Sequence, residues 1–205
     1  FFGARANLAK CMLYAINGGR DEMTGEQVAP MYSPIEGDYL TYEEFMPRFE
    51  QMMRWLAKTY VNALKIIHYM HDKYDYEAFE MALHDGDVQR TRATGIAGLS
   101  IVTDSIAAMK NCKIRIIRDE TGLAVDYKIE EGEYIPFGND CDETDAIAVE
   151  LTEKFMEYLR QHRTYRDAIP TQSLLTITSN VVYGRATGAT PDGRAKGVPF
   201  APGAN

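Results

Sequence analysis

Apolar and polar positions along this chain recur mostly at the helical period. The longest such stretch, TYEEFMPRFEQMMRWLAKTYVNALKIIHYMHDKY, keeps Phe45, Phe49, Met52, Met53, Leu56, Tyr60, Val61 and Leu64 on one face, which predicts a long helix over a core. Thr41 and Glu44 open it with capping-box spacing, and Pro47 lies close enough to the start to be tolerated. An earlier helix is predicted from Ala4 to Asn17, with Leu8, Met12, Leu13 and Ile16 as its stripe and Gly18 and Gly19 as its stop. Shorter helices are expected from Tyr76 to His84 and over 95–110, where Gly95, Ala97 and Gly98 would allow close approach to a neighbour. DETDAIAVELTEKFMEYLRQH reads as an amphipathic helix capped by Asp142 or Thr144.

Strand spacing is rarer. KIRIIRDE and LAVDYKI alternate at period two around Thr121 and Gly122, which predicts a hairpin outside the main core. The apolar, β-branched run at 174–178 fits a buried strand. Residues 19–40 and the tail GRATGATPDGRAKGVPFAPGAN carry glycine and proline without periodicity and read as loops. Long helices with few strands point to an α/β fold.

Composition narrows the function classes. A chain of 205 residues, 45% hydrophobic, can bury the core of one domain or one part of a larger one. With 22 basic against 30 acidic side chains the net charge is −8, so no nucleic acid and no anionic membrane surface is expected as a partner. No apolar run approaches the roughly 18 to 20 residues that span a bilayer, and no presequence pattern is present, so a cytoplasmic protein is expected. Cys11, Cys112 and Cys141 are odd in number and far apart, which signals neither a disulfide framework nor a zinc site. The chain opens on FFGARANLAK and stops in PFAPGAN, and reads as a piece of something longer.

Several residues invite chemistry. Arg5, in the first turn of the expected first helix, opposes that helix's own dipole, but with the helix N–H groups it would hold an anion beside it. Phe1 and Phe2 would wall such a site. The alternative is a surface arginine lying along apolar neighbours. His68 and His71 share a helix edge next to Asp72, but lack further matched metal ligands. His84 beside Asp85 reads as a helix end. NDCDETD at 139–145 lacks the glycine of a calcium loop, so capping explains its acids better. TPDGRAKG at 190–197 offers Arg194, Lys196 and flexible N–H groups to a phosphate or carboxylate, with a plain solvent loop as the other reading.

Five stretches, FFGARANLAKCMLYAINGG, LKIIHYMHDKY, GIAGLSIVTDSIAAMK, YRDAIPTQSLLTITSNVVYG and TPDGRAKGVPFAPGAN, occur in order from Phe1 to Asn205. Together they resemble the later central part of the pyruvate formate-lyase family of glycyl radical enzymes. The resemblance implies formate C-acetyltransferase activity in anaerobic fermentation. Pyruvate and coenzyme A would become acetyl coenzyme A and formate, with 2-ketobutyrate as an alternative substrate. It also implies a glycyl radical installed by a radical-SAM activating enzyme, a thiyl radical on one of two adjacent cysteines, and a homodimer. The implied fold is a helix-rich fragment of a ten-stranded α/β barrel of the glycyl radical enzyme type, with residues 1–205 an internal segment of the barrel domain.

The family's cysteine pair would precede FFGARANLAK and its radical glycine would follow PFAPGAN. No catalytic residue, no metal and no bound cofactor are therefore expected within 1–205, and the segment alone would be inactive. By position in FFGARA, Arg5 is implied to bind the substrate carboxylate and Phe2 to line the pocket near it. The remaining alternative is a truncated, non-catalytic helical binding module.

Overall fold

The computed structural model describes residues 5–75, 77–174 and 179–201. The chain enters on a short strand, β1 (Arg5–Asn7), and turns into helix α1 (Leu8–Ile16). The Asn7 side chain caps that helix by accepting from the Lys10 N–H at 3.1 Å. The expected helix start at Ala4 is therefore corrected. Asn7 competes for the helix N–H groups by accepting from Lys10 N, and Arg5 and Ala6 before it are extended.

After a loop comes β2 (Tyr39–Leu40), then α2 (Tyr42–Asp75). The Glu44 N–H approaches Thr41 Oγ1 at 3.4 Å, as the capping spacing predicts. Buried Phe45, Phe49, Met52, Met53, Ala57, Tyr60, Val61 and Leu64 form its core stripe. Ala57 takes the fully buried place expected of Leu56, which is only half-buried. Beyond Leu64 the helix runs past the core, and Ile66 and Tyr74 are 65% and 60% exposed. A short helix, α3 (Glu77–Met81), covers less than the expected 76–84.

The stretch expected as one helix over 95–110 divides into β3 (Thr91–Ala97) and α4 (Leu99–Asn111). Gly98, at φ +80°, makes the corner between them. Gly95 and Ala97 thus belong to a strand, because β3 finds parallel partners on both sides. β4 (Lys113–Arg118) and β5 (Ala124–Glu131) form the expected hairpin. Its turn is held by Asp119 Oδ1, which accepts from Thr121 N at 2.8 Å and Leu123 N at 3.0 Å. The hairpin is not outside the core as expected: Ile114, Ile116, Ala124 and Tyr127 are buried within it.

Helix α5 (Asp142–Arg160) follows. Neither Asp142 nor Thr144 caps it. Cys141 occupies the cap position without a side-chain bond, and Thr144 Oγ1 donates instead to the Ile135 carbonyl at 2.9 Å. The acids Asp142, Glu143 and Asp145 in the first turn still suit the helix dipole. β6 (Ile169–Leu174) and α6 (Ser179–Arg185) complete the order. The strand lies before the expected 174–178, of which 175–178 fall outside the described residues.

Two three-stranded sheets result: β1-β3-β6, all parallel, and β2-β4-β5, antiparallel. Helices lie in both crossovers of the parallel sheet, α1 and α2 in the first and α4 and α5 in the second, as parallel pairing demands. The architecture is the helix-rich α/β arrangement expected from the sequence.

Candidate functional site

The parallel sheet has two unlike faces. Arg92, Thr94 and Ile96 on one side of β3 are buried, and Arg92 Nη1 donates to the Leu64 carbonyl of α2 at 3.1 Å. The opposite face carries Arg5 and Asn7 of β1, Ala93 and Gly95 of β3, and Thr171 and Ser173 of β6. Thr171, Ser173 and Ala93 are exposed there. Small and polar residues on the open side of a parallel sheet leave room for a ligand.

Arg5, Gly95 and Ser173 stand in one row, since Gly95 is the register partner of both others. Arg5 is half-buried and makes no hydrogen bond or ion pair with another described residue. Its charge is felt at Tyr60, whose hydroxyl lies 3.0 Å from the Gly95 nitrogen. Burial pushes the Tyr60 phenol up, against the Gly95 peptide and the charges of Arg5 and Arg92, which pull it down. Because α1 starts only at Leu8 and Asn7 caps it, the expected pairing of Arg5 with its own helix N-terminus does not form. What positions Arg5 is the strand register. Phe2, expected to line the same pocket, lies outside the described residues.

The neighbouring wall is built by charge. Lys10 Nζ reaches Asp21 Oδ2 at 2.7 Å and Glu22 Oε1 at 2.8 Å. Glu22 Oε1 also accepts from the Gly188 N–H at 2.7 Å, and Asn7 Nδ2 donates to Thr187 Oγ1 at 3.1 Å. The segment after α6 is thereby fastened to the start of α1. A side chain on Gly188 would collide with Glu22, with a Cβ only 2.5 Å from Glu22 Cγ, so this approach needs glycine. Burial pulls the Asp21 carboxyl upward, but hydrogen bonds from Lys10 and the Met23 and Thr24 N–H groups outweigh it and hold the carboxyl below its usual range.

Other candidates find ordinary partners. Arg194 donates to the carbonyls of Gly188, Thr187 and Val198 and lies 5.2 Å over the Phe200 ring. It is a clamp for its own loop and no longer available to cradle a phosphate. His68 Nε2 is 2.8 Å from Glu77 Oε2, which leaves that nitrogen committed. No group of three or more metal-ligating side chains occurs among the described residues. Cys11 is buried, which pushes its thiol up, and it serves as core. His84 lies beyond the last turn of α3, as a helix-end role requires.

The residue pattern singles out Arg5 as a candidate, but it does not bring Gly95, Ser173 or the Lys10–Asp21–Glu22 network to its side. Their spacing in the chain, about 90 and 170 residues apart for the row, carries no periodic signal. Gly95, Ala97 and Gly98 do have the spacing of a close helix contact, but Gly95 and Ala97 lie in β3.

Comparison with known proteins agrees with this architecture. The chain is 63% identical over all 205 residues to formate acetyltransferase 1 of Escherichia coli (strain K12), of which it spans 27%. The B12-independent glycerol dehydratase of Clostridium butyricum, solved with glycerol bound, superimposes with a TM-score of 0.75 at 22% identity over 96% of this chain and 28% of that one. A glycyl radical enzyme from Archaeoglobus fulgidus gives a TM-score of 0.71 at 21% identity, over 96% of this chain and 28% of that one. The fold is thus an α/β fragment of the glycyl radical enzyme type. Among the described residues no helix is long and apolar enough to cross a membrane. The family described as pyruvate formate lyase-like matches residues 1–184, and the chain belongs to it.

Proposed function

We propose that residues 1–205 are an internal segment of the barrel domain of a formate C-acetyltransferase. The whole protein would convert pyruvate and coenzyme A to acetyl coenzyme A and formate by glycyl and thiyl radical chemistry in anaerobic fermentation. The 63% identity to formate acetyltransferase 1 over the full segment supports this reading. Cys11, Cys112 and Cys141 are not adjacent, so the cysteine pair that such chemistry needs would lie elsewhere in the protein. The resemblance implies that the radical glycine would also lie elsewhere, and the segment's own part is to bind substrate. A radical-SAM activating enzyme, a homodimeric assembly and a cytoplasmic setting belong to the same proposal.

Arg5 is the substrate clamp. The observation that carries this role is a half-buried arginine, on the open face of a parallel sheet, without a partner among the described residues. A guanidinium meets a carboxylate through two parallel N–H···O bonds, which fix orientation as well as charge. Phe2, three residues before it in sequence, would exclude water and strengthen that interaction.

The test is Arg5→Lys in the full-length protein. Keeping the charge while losing the fork removes about 1.5–3 kcal/mol, or roughly 10- to 150-fold in kcat/KM for pyruvate. Unchanged pyruvate kinetics would remove Arg5 from the site. Running the same assay with 2-ketobutyrate decides which 2-keto acid the protein prefers.

A further inference from the structure

Glycine at position 95 has no backbone reason. It lies in the middle of β3, outside the set of positive-φ residues, paired on both sides, where a side chain would ordinarily add strand stability. The reason lies in the space above it. A Cβ placed there would stand 3.3 Å from Arg5 Cγ, 3.9 Å from Arg5 Cδ and 3.4 Å from Ser173 Oγ. The first of these is tighter than ordinary van der Waals contact, and the Ser173 hydroxyl on the far side leaves little room to give. Ser173 is itself tied to the sheet, its Oγ donating to the Thr94 carbonyl at 3.3 Å.

We infer that Gly95 is a positioning residue for Arg5: its missing side chain opens a lane, bounded by Ser173, along which the Arg5 stem lies against the sheet and aims its guanidinium at the substrate carboxylate. This rests on Arg5 being the carboxylate clamp. Even alanine displaces the stem by a few tenths of an ångström at its root, and the displacement grows toward the guanidinium. A misplacement of about 1 Å at a binding group is worth up to about 100-fold in rate. Backbone conformation is no obstacle to alanine here, so the change acts through Arg5 and not through strain.

The test compares Gly95→Ala, Arg5→Ala and the double variant in the full-length protein, with KM measured separately for the 2-keto acid and for coenzyme A. Expected for Gly95→Ala is a rise of about tenfold or more in KM for the keto acid, an unchanged KM for coenzyme A and an unchanged melting temperature. In the Arg5→Ala background the same substitution should have no further effect, because the lane then guides nothing. If Arg5→Ala impairs keto-acid use while Gly95→Ala behaves as the parent, the positioning role is overturned and the clamp stands. Equal losses for both substrates, or a lowered melting temperature, would make Gly95 a structural residue and also overturn it. A harmless Arg5→Ala removes the clamp and the inference together.

Discussion

Asn17 and Ala124 exchange two hydrogen bonds: Asn17 Nδ2 donates to the Ala124 carbonyl at 3.1 Å, and the Ala124 N–H donates to Asn17 Oδ1 at 2.8 Å. A side-chain amide at the end of α1 thus pairs with the first residue of β5 as a neighbouring strand would. Both partners are buried, so the pair docks the hairpin onto α1 without leaving orphaned peptide groups.

Replacing Asn17 with alanine strands the Ala124 N–H and C=O in the core. The expected loss is about 2–6 kcal/mol, at about 1–3 kcal/mol for each of the two unsatisfied groups. Calorimetry on the full-length protein should show a lower melting temperature, and hydrogen exchange should show faster exchange at the Ala124 amide. Parent-like protection at that amide would contradict the docking role.

The Lys10 network predicts a coupled loss. Lys10→Met leaves Asp21 and Glu22 without their cation, and the Glu22 side chain is 1% exposed. Breaking a buried pair from one side costs about 3–5 kcal/mol. Glu22 also holds the Gly188 N–H, so proteolytic cleavage within 187–198 should accelerate along with the fall in stability. A Lys10→Met, Glu22→Gln double variant should recover part of it. The pH sign follows from Asp21, whose folded-state carboxyl is held down: its contribution is present above the unfolded value near 4 and fades as pH falls through the lower folded value.

Asp104 predicts the opposite pH slope. Burial raises its carboxyl to about 6, the Phe137 N–H at 2.6 Å pulls it down, and Asp192 nearby pushes it further up. The unfolded chain therefore loses this proton first, and stability declines as pH rises from about 4 to about 6. Asp104→Asn keeps an acceptor for Phe137 and removes the charge. It should flatten that part of the melting-temperature profile and stabilise the protein at pH 7 by up to about 3 kcal/mol. Tyr134, whose phenol is raised by burial and by both carboxylates, should titrate lower in the variant. An unchanged profile between pH 4 and 6 would show that Asp104 is ionised throughout.

Residues 1–205 expressed alone should associate or melt without cooperativity. Among the described residues the outer edges of β1 and β6 are unpaired, and Val182, Phe79 and Leu83 are 64%, 81% and 84% exposed. Open edges and apolar surface invite self-association. Size-exclusion chromatography with calorimetry decides, and a soluble monomer with one sharp transition would refute the expectation.

Elements whose stabilising contacts lie close in sequence were legible in it. The α2 stripe from Phe45 to Leu64, the Thr41–Glu44 cap and the hairpin turn at Asp119–Gly122 each depend on neighbours a few residues away. Their hydrophobic period therefore survives as a readable pattern. Resemblance to the pyruvate formate-lyase family likewise needed only the order of residues, and it pointed to Arg5.

Tertiary structure alone decided the rest. Gly95-Ile-Ala-Gly98 has the small residues of a helix contact, yet it lies at the end of a strand because β1 and β6 bracket it from about 90 and 80 residues away. Arg5 faces the open side of the sheet through that register, not through a helix dipole. Parallel pairing is non-local, and its evenly spaced bonds leave no local trace in sequence. Residue order thus determined which side chains are available, and the parallel register of β1, β3 and β6, set by pairing across the fold, decided that Arg5, Gly95 and Ser173 share one face.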